Sequence, residues 1–530
     1  MGKFTSVRSG PGSPVTTTGT TATFEGGAGF TRDAKSDLFL FAAVNMAGED
    51  AFYERADVRD RRFRDLVHAA TKQDPDWVAS FVPYLRSEMN MRSAAIVMAA
   101  ESALARRGGT DREATVPVRK MVAGAMLRAD EPAEFIAYWK ARTGKVTLPG
   151  GVQRGVADAA ARLFTERAAL KYDGANGPWR MADVVALAKP TPAGPWQADL
   201  FDYLADRRWK RDVVRVSGRL PTLSAYRAAT DMPRAERRAW FLADPGRLRA
   251  AGMTWEQLSS LGPMDAQAWT AIIPHMGLMA LCRNLRNFDE AGVPDAVAGR
   301  VAARLADPEQ VRRSRQFPYR FLSAYRAAPS LRWGHALEQA LTASTANVPD
   351  LPGRTLVLVD TSASMTGRVS AKSRVRHVDV GALFGTALAA RGCAVDLAGF
   401  ADGLFRHPLA EGGSVLRQAE EFCARVGEVG HGTETVAALR EAYDGHDRVV
   451  IVSDMQAFAY PGRRPGRGMS VSEAVPAAVP MFGVNTTGYG KASIDTGRPG
   501  RYEIGGFSDA LFRMVGLLSR DRTTGWPWEG

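Results

Sequence analysis

The sequence predicts a multidomain protein, with an all-α region of helical repeats followed by an α/β domain on a doubly wound parallel sheet. Three observations support this. At 530 residues the chain exceeds what one hydrophobic core can serve. From Thr31 to about residue 347, apolar side chains recur at helical spacing with no strand-like segment between them. From Leu351 onward, short β-branched runs alternate with helical stretches, as strand–helix units do.

Residues 1–30 are rich in Gly, Thr and Ser and poor in large apolar side chains, so a flexible tail is expected there. The helical region is expected over 31–350. Asp74-Pro75-Asp76-Trp77 reads as a helix start, with Asp as cap and Pro in the first turn. Trp77, Val78, Phe81, Val82 and Leu85 then form one apolar face. A second helix follows from Arg92, with Ile96, Val97, Ala100 and Leu104. Further pairs are expected at 37–48 with 58–71, 115–128 with 131–141, 151–170 with 180–188, 254–260 with 265–286, and 296–306 with 309–327. Helix pairs in succession bury a continuous core and leave a concave surface. In the α/β domain, 351–530, strands are expected at 354–360, 393–400, 447–454 and 480–485, and helices at 376–391, 413–424, 433–443 and 507–519. The stretch 459–472, with Arg463, Arg464 and Arg467, reads as an exposed basic loop.

An apolar content of 45% is ordinary for a globular protein. Cys282, Cys393 and Cys423 are odd in number and far apart, which gives neither a disulfide framework nor zinc spacing. A reducing, cytoplasmic compartment is therefore expected. No apolar run approaches the ~20 residues a membrane span needs, and no charged-then-apolar leader opens the chain. A monomer without membrane association is expected. The net charge of +12 is unevenly placed: residues 351–530 hold 20 Lys and Arg against 19 Asp and Glu, so the first 350 residues carry nearly all the excess. Any polyanion would bind the helical region, although dispersed solubilising charge gives the same total.

The chemistry concentrates in Leu356-Val-Leu-Val-Asp360-Thr-Ser362-Ala-Ser364-Met365. The apolar run is a buried parallel strand, and its polar end lies where open α/β sheets bind ligands. One carboxylate and two hydroxyls are hard oxygen donors suited to a divalent cation, above all Mg²⁺. Two more segments have a related form. Gly430-His431-Gly432-Thr433-Glu434-Thr435 is a glycine turn leading into a helix, and Val449-Val-Ile-Val-Ser453-Asp454 is a second buried strand ending in Asp. Helix capping by Asp360 and Asp454 is the bland alternative. No Ser/His/Asp order, phosphate-binding loop or paired-His motif is present, and a lone His431 in a glycine turn reads as solvent-facing, so no catalysis is expected.

Asp360-x-Ser362-x-Ser364 resembles the metal-ion-dependent adhesion site of von Willebrand factor A domains. With Thr31-Arg-Asp-Ala-Lys-Ser-Asp-Leu-Phe-Leu40, Leu148-Pro-Gly-Gly-Val-Gln-Arg154-Gly, Ala169-Leu-Lys171-Tyr172, Ala182 to Pro190, Met279 to Leu285, Phe317 to Phe321, Ser453 to Gln456 and Gly505 to Asp509, the chain resembles the Ro autoantigen family and its bacterial orthologues over roughly 31–520. The resemblance implies a TROVE module, a HEAT-like ring of helical repeats, closed by a von Willebrand A domain. It assigns Asp360, Ser362, Ser364, Thr433 and Asp454 to the metal, with Asp454 acting directly or through water. It also implies a noncatalytic ring that binds small noncoding Y RNAs on an outer basic surface and admits single-stranded ends of misfolded RNAs into its hole. Bacterial members can be tethered through the Y RNA to an exoribonuclease. The competing expectation is a metal-dependent interaction module for an acidic protein partner.

For RNA the resemblance points to Arg154, Lys171 and Lys189. Lys189 stands where many relatives have a histidine, which keeps a cation and loses a stacking ring. Arg154, Asp158, Arg162 and Glu166 also fall four apart, a charge row that stabilises a helix with no ligand. Arg86, Arg92, Arg283 and Arg320 flank helix ends and could line the ring; the alternative is pairing with helix carbonyls or with acids between repeats. Trp77, Trp269 and Phe321 read as core. Arg59, Arg61, Arg62 and Arg64, interrupted by Asp60 and Asp65, read as a solvated face.

Overall fold

In the computed structural model, residues 13–44, 47–107, 114–174, 178–209, 214–345, 348, 351–371, 373–458, 469–507, 514, 515, 518 and 525–529 are described. The local signals act as read. The Asp74 carboxylate accepts a hydrogen bond from the Trp77 backbone N–H at 3.0 Å and opens the helix Pro75–Ser87. Trp77, Trp269 and Phe321 are all core residues, none more than 3% exposed.

The helices form an unbroken series of contacts. Ala34–Val44 packs on Ala56–Gln73, which packs on Arg92–Arg106. Pro75–Ser87 packs on Val118–Gly124, then Gly150–Leu163, then Met181–Ala188. Glu166–Tyr172 meets Pro221–Thr230, and Arg234–Ala243 meets Ala266–Ile272. Arg304 donates to the Ile273 and Met276 carbonyls and ties that region to Asp295–Ala306, which packs on Leu331–Ser344.

The α/β domain holds a six-stranded sheet of β3 (Arg354–Asp360), β4 (Ala394–Phe400), β5 (Leu404–His407), β6 (Arg448–Ser453), β7 (Met481–Asn485) and β8 (Arg501–Gly505). Their order is β5-β4-β3-β6-β7-β8. All neighbours are parallel except β4 and β5. The short antiparallel edge β5 and the last strand β8 escape the sequence reading. Phe400 pairs with Leu404 across a tight turn, and β5 spans only Leu404–His407, too short to stand out in the sequence. The helix expected over 507–519 lies almost entirely outside the described residues, as does most of the basic loop 459–472 with Arg463, Arg464 and Arg467.

The helical series closes on this domain at both ends. At one end, Ala34–Val44 packs on β8, and the buried Arg32 guanidinium pairs with the buried Glu503 carboxylate, Nε to Oε2 at 2.8 Å. Arg59 and Arg62 donate to the Thr487 and Gly488 carbonyls. These two arginines do not lie on a solvated face: Arg59 is 5% exposed, because the helix Ala56–Gln73 turns that side toward the domain. At the other end, Arg326 pairs with Asp379 at 2.8 Å, and the Glu338 carboxylate accepts from Ser414 and from the N–H groups that open the helix Val415–Cys423. The result is a helical ring closed by the α/β domain.

The described part of residues 1–30 departs from the expectation of a flexible tail. β1 (Thr17–Ala22) and β2 (Ala28–Arg32) form an antiparallel hairpin. It bridges to the α/β domain at Gly26 with Phe458 and at Phe30 with Ala492. Its β-branched threonines suit a strand, and pairing with another domain replaces the apolar core that the segment lacks. Trp526 and Trp528 pack against Phe39, Trp77 and Phe81, with Trp528 stacked on Phe81 at 4.6 Å. Among the described residues no helix is long and apolar enough to cross a membrane.

Candidate metal centre and basic surface

β3 is the first strand of the sheet. The chain leaves it to β4 on one side and later returns to β6 on the other, so the crevice between the carboxyl ends of β3 and β6 is the topological switch point. Val359 pairs with Val452, which brings Asp360 beside Ser453 and Asp454. Asp360, Ser362, Ser364, Thr433 and Asp454 are all buried. The Ser362 N–H and the Ser453 hydroxyl donate to the two Asp360 oxygens at 2.9 and 2.7 Å. The Ser362 and Ser364 hydroxyls stand 3.2 Å apart. The Ala363 N–H donates to the His431 carbonyl at 3.0 Å, which holds the first loop against the loop of Thr433.

Asp402 at the end of β4 organises that second loop. Its carboxylate accepts from the His431 and Gly432 N–H groups at 3.0 and 3.1 Å. Gly430 has φ +87, and a Cβ there would collide with the Asp402 carboxylate. His431 takes part through its backbone while its side chain is exposed.

The electrostatics fit a cation. Burial pushes both Asp360 and Asp454 well above the usual carboxylate range, and the Asp360 charge raises Asp454 further. The Asp454 Oδ2 atom is buried with no hydrogen-bond partner, while Oδ1 accepts from the Gln456 N–H. An orphaned buried carboxylate oxygen beside a second carboxylate and several hydroxyls is a donor set for Mg²⁺. Among the described residues no three His, Cys, Asp or Glu side chains form a metal-holding group, so the candidate centre depends on its hydroxyl oxygens. Helix capping does not account for Asp360, whose partners belong to its own loop and to the neighbouring strand.

Sequence reading missed Asp402, Glu25 and Tyr53. Asp402 carried a usable signal: like Asp360 and Asp454, it follows an apolar strand. Glu25 and Tyr53 reach the site from the hairpin turn and from the helical region. The Tyr53 hydroxyl donates to Glu25 and also interacts with Ser364.

The expected basic residues divide into two groups. Arg86 is a correction. Its side chain is 8% exposed and pairs with buried Glu131 at 2.7 Å, so it presents no phosphate-binding face. Arg92 is likewise shared among Asp130, Glu131 and Glu134. In contrast, Arg154, Lys171, Lys189, Arg283 and Arg320 are exposed. The charge row around Arg154 does not form, since Asp158 pairs with Arg119 at 2.6 Å and Arg162 donates to the Ala123 and Met126 carbonyls. Gln153 donates to the Leu187 carbonyl, which places Arg154 and Lys189 on adjoining helices. Lys189 has φ +53 and caps the helix Met181–Ala188. Lys171 lines an open cleft of about 220 Å³ with Arg167, Arg249, Trp255 and His275, and Arg283 lies one turn beyond Ala280 of that cleft. Arg320 lies over the Tyr319 ring.

Residues 247–340 match the family model of the TROVE domain. The chain has the fold of the Ro (RSR) protein of Deinococcus radiodurans. The match to that crystal structure covers 92% of this chain and 100% of that one, at a TM-score of 0.60 and 20% sequence identity.

Proposed function

We propose that this protein is a noncatalytic RNA-binding scaffold. It takes a small structured, Y-like noncoding RNA on the helical surface bearing Arg154, Lys171 and Lys189, and single-stranded RNA ends in the hole of the ring. The carrying observation is that Arg154, Lys171 and Lys189 are exposed while the acid nearest Arg154 in its own helix, Asp158, is engaged by Arg119. Phosphate groups are the natural partners of such cations, and each neutralised phosphate adds a salt-dependent increment of affinity. Arg283 and Arg320 are further exposed cations available to the same polyanion. An exoribonuclease tethered through the RNA is the protein partner that fits this reading.

In the same reading Asp360, Ser362, Ser364, Thr433 and Asp454 hold Mg²⁺. Bound there, the ion would neutralise the two buried carboxylates and fasten the three loops together. The orphaned Asp454 oxygen supports this assignment. Crosslinking and sequencing of RNA bound in the native cell, with the Arg154→Ala/Lys171→Ala double variant as control, tests the function. Enrichment of one small structured RNA that the double variant loses is the expected result. Background RNA unchanged by the substitutions would overturn it.

A further inference from the structure

We propose that the cleft lined by Arg167, Lys171, Arg249, Trp255 and His275 is a site for a 5′-nucleoside monophosphate group, with the cations on the phosphate and Trp255 beside the base. The inference rests on the RNA-scaffold reading, to which Lys171 belongs, and names the chemical group that this part of the surface takes.

The cleft is assembled from four short elements: Glu166–Tyr172, Gly246–Ala250, Trp255–Ser259 and the turn Ile273–His275. Arg167 and Lys171 stand about one helical turn apart on the first. The Gln257 side chain donates to the Leu170 carbonyl at 3.1 Å, and Arg167 Nη2 donates to the Arg249 carbonyl at 3.4 Å, so the first three elements are tied together. Gly252 has φ +58, and a Cβ there would press on Thr222 at 2.9 Å, so a larger residue would push the turn before Trp255 away from its neighbours. Trp255 is half-buried. Its ring centroid lies 5.8 Å from that of buried Trp269, which holds it in place where it lines the cleft.

Arg167, Lys171 and Arg249 are exposed, and among the described residues none of them makes an ion pair. The one acid of the lining, Glu256, pairs with none of the three. Burial lowers the His275 imidazole below its usual value, and Arg249, Arg167 and Arg304 lower it further against the opposing hydrogen bond to Pro245. Cations that separate elements bring to one cleft repel each other, and the arrangement becomes favourable once an anion lies among them. An internal phosphodiester brings a single negative charge. A terminal phosphate monoester brings about −1.5 to −2 at pH 7 and three acceptor oxygens, which suits several cations at once. The aromatic ring at the same cleft offers a stacking surface for a base, which favours a nucleotide over a bare anion.

The test is calorimetric titration of the full chain with AMP and with inorganic phosphate, combined with fluorescence anisotropy of a short single-stranded RNA carrying either a 5′-phosphate or a 5′-hydroxyl. AMP is expected to bind about tenfold tighter than inorganic phosphate, the factor that stacking of one base supplies. Arg249→Ala, at an exposed side chain, is expected to weaken AMP binding by about tenfold, as the loss of one charge-assisted hydrogen bond does. Trp255→Leu should remove the advantage of AMP over phosphate, and Trp255→Phe should restore most of it. If the 5′-phosphate RNA outbinds the 5′-hydroxyl RNA and Arg249→Ala erases the difference, the site is supported and its source is an RNA end. If AMP binds through Arg249 without that difference, the site is supported and its source is a free mononucleotide. Equal affinity for AMP and phosphate overturns the nucleotide assignment. No AMP binding with no effect of the 5′-phosphate, or AMP binding untouched by Arg249→Ala, overturns the site. Loss of structured-RNA binding in Arg154→Ala would then leave the scaffold reading standing, and unchanged binding would overturn that reading too.

Discussion

Arg326 reaches from the helical ring into the α/β domain and grips Asp379 with both Nη atoms, at 2.8 and 3.1 Å. Asp379 lies in the first turn of His377–Ala390, the helix that follows the loop of Asp360, Ser362 and Ser364. One ion pair thus connects ring closure to the loop that carries Asp360.

This contact sets a pH dependence. Burial alone would raise the Asp379 carboxyl, but Arg326 and Arg376 outweigh it and hold the group down at about 2. A depressed folded-state value contributes stability above the unfolded carboxylate value of about 4 and loses it as pH falls through about 2. The contribution is on the order of 2 kcal/mol. Arg326→Met should therefore shift the acid-unfolding midpoint to higher pH, and an unchanged midpoint by circular dichroism would refute the linkage.

Divalent cation should stabilise the protein by mass action, by about 2.7 kcal/mol at 100-fold excess over Kd. Asp360→Ala and Asp454→Asn should both remove that increment. Asp454→Asn should also leave the cation-free protein no less stable, since it relieves repulsion with Asp360. Thermal melts with and without Mg²⁺ measure both effects.

Gly430→Ala should destabilise the second loop by about 1–2 kcal/mol, the cost of a left-handed backbone for a residue with a Cβ. The collision with Asp402 adds to this. Denaturant unfolding reads the loss, and relief of part of it in Gly430→Ala/Asp402→Gly would locate the clash.

Arg86 and Arg154 should behave oppositely. Arg86→Ala leaves Glu131 short of its main partner and should cost about 3 kcal/mol of stability. Arg154→Ala should leave the melting temperature unchanged and lower both RNA affinity and its dependence on salt. Equal effects of the two substitutions on RNA binding, with no difference in stability, would contradict the division of the basic residues made above.

The contrast between these arginines shows what a sequence can reveal. Asp360 and Asp454 were legible because a buried strand ending in an acid is a local pattern. Local too were the helix start at Asp74 and the core stripe from Trp77 to Leu85. Arg86 stayed open between a phosphate and an acid because its partner lies 45 residues away, and the charge row at Arg154 failed because Asp158 found Arg119 instead. The hairpin was invisible for the same reason: its stability comes from Ala457, Phe458 and Ala492, more than 400 residues distant. The edge strand β5 was lost because it spans only Leu404–His407, too short for an alternating pattern to register.

Because the helical series is fastened to the α/β domain at both of its ends, the molecule is a closed circuit. A single break in one of the repeats would not divide it, since each half would still be moored to the same sheet, one through Arg32 and Glu503 and the other through Arg326 and Asp379. Such a chain can be nicked and still travel as one particle. A polymer without a free end could enter or leave the centre only if a joint were unfastened, and Arg326 with Asp379 is the more exposed of the two.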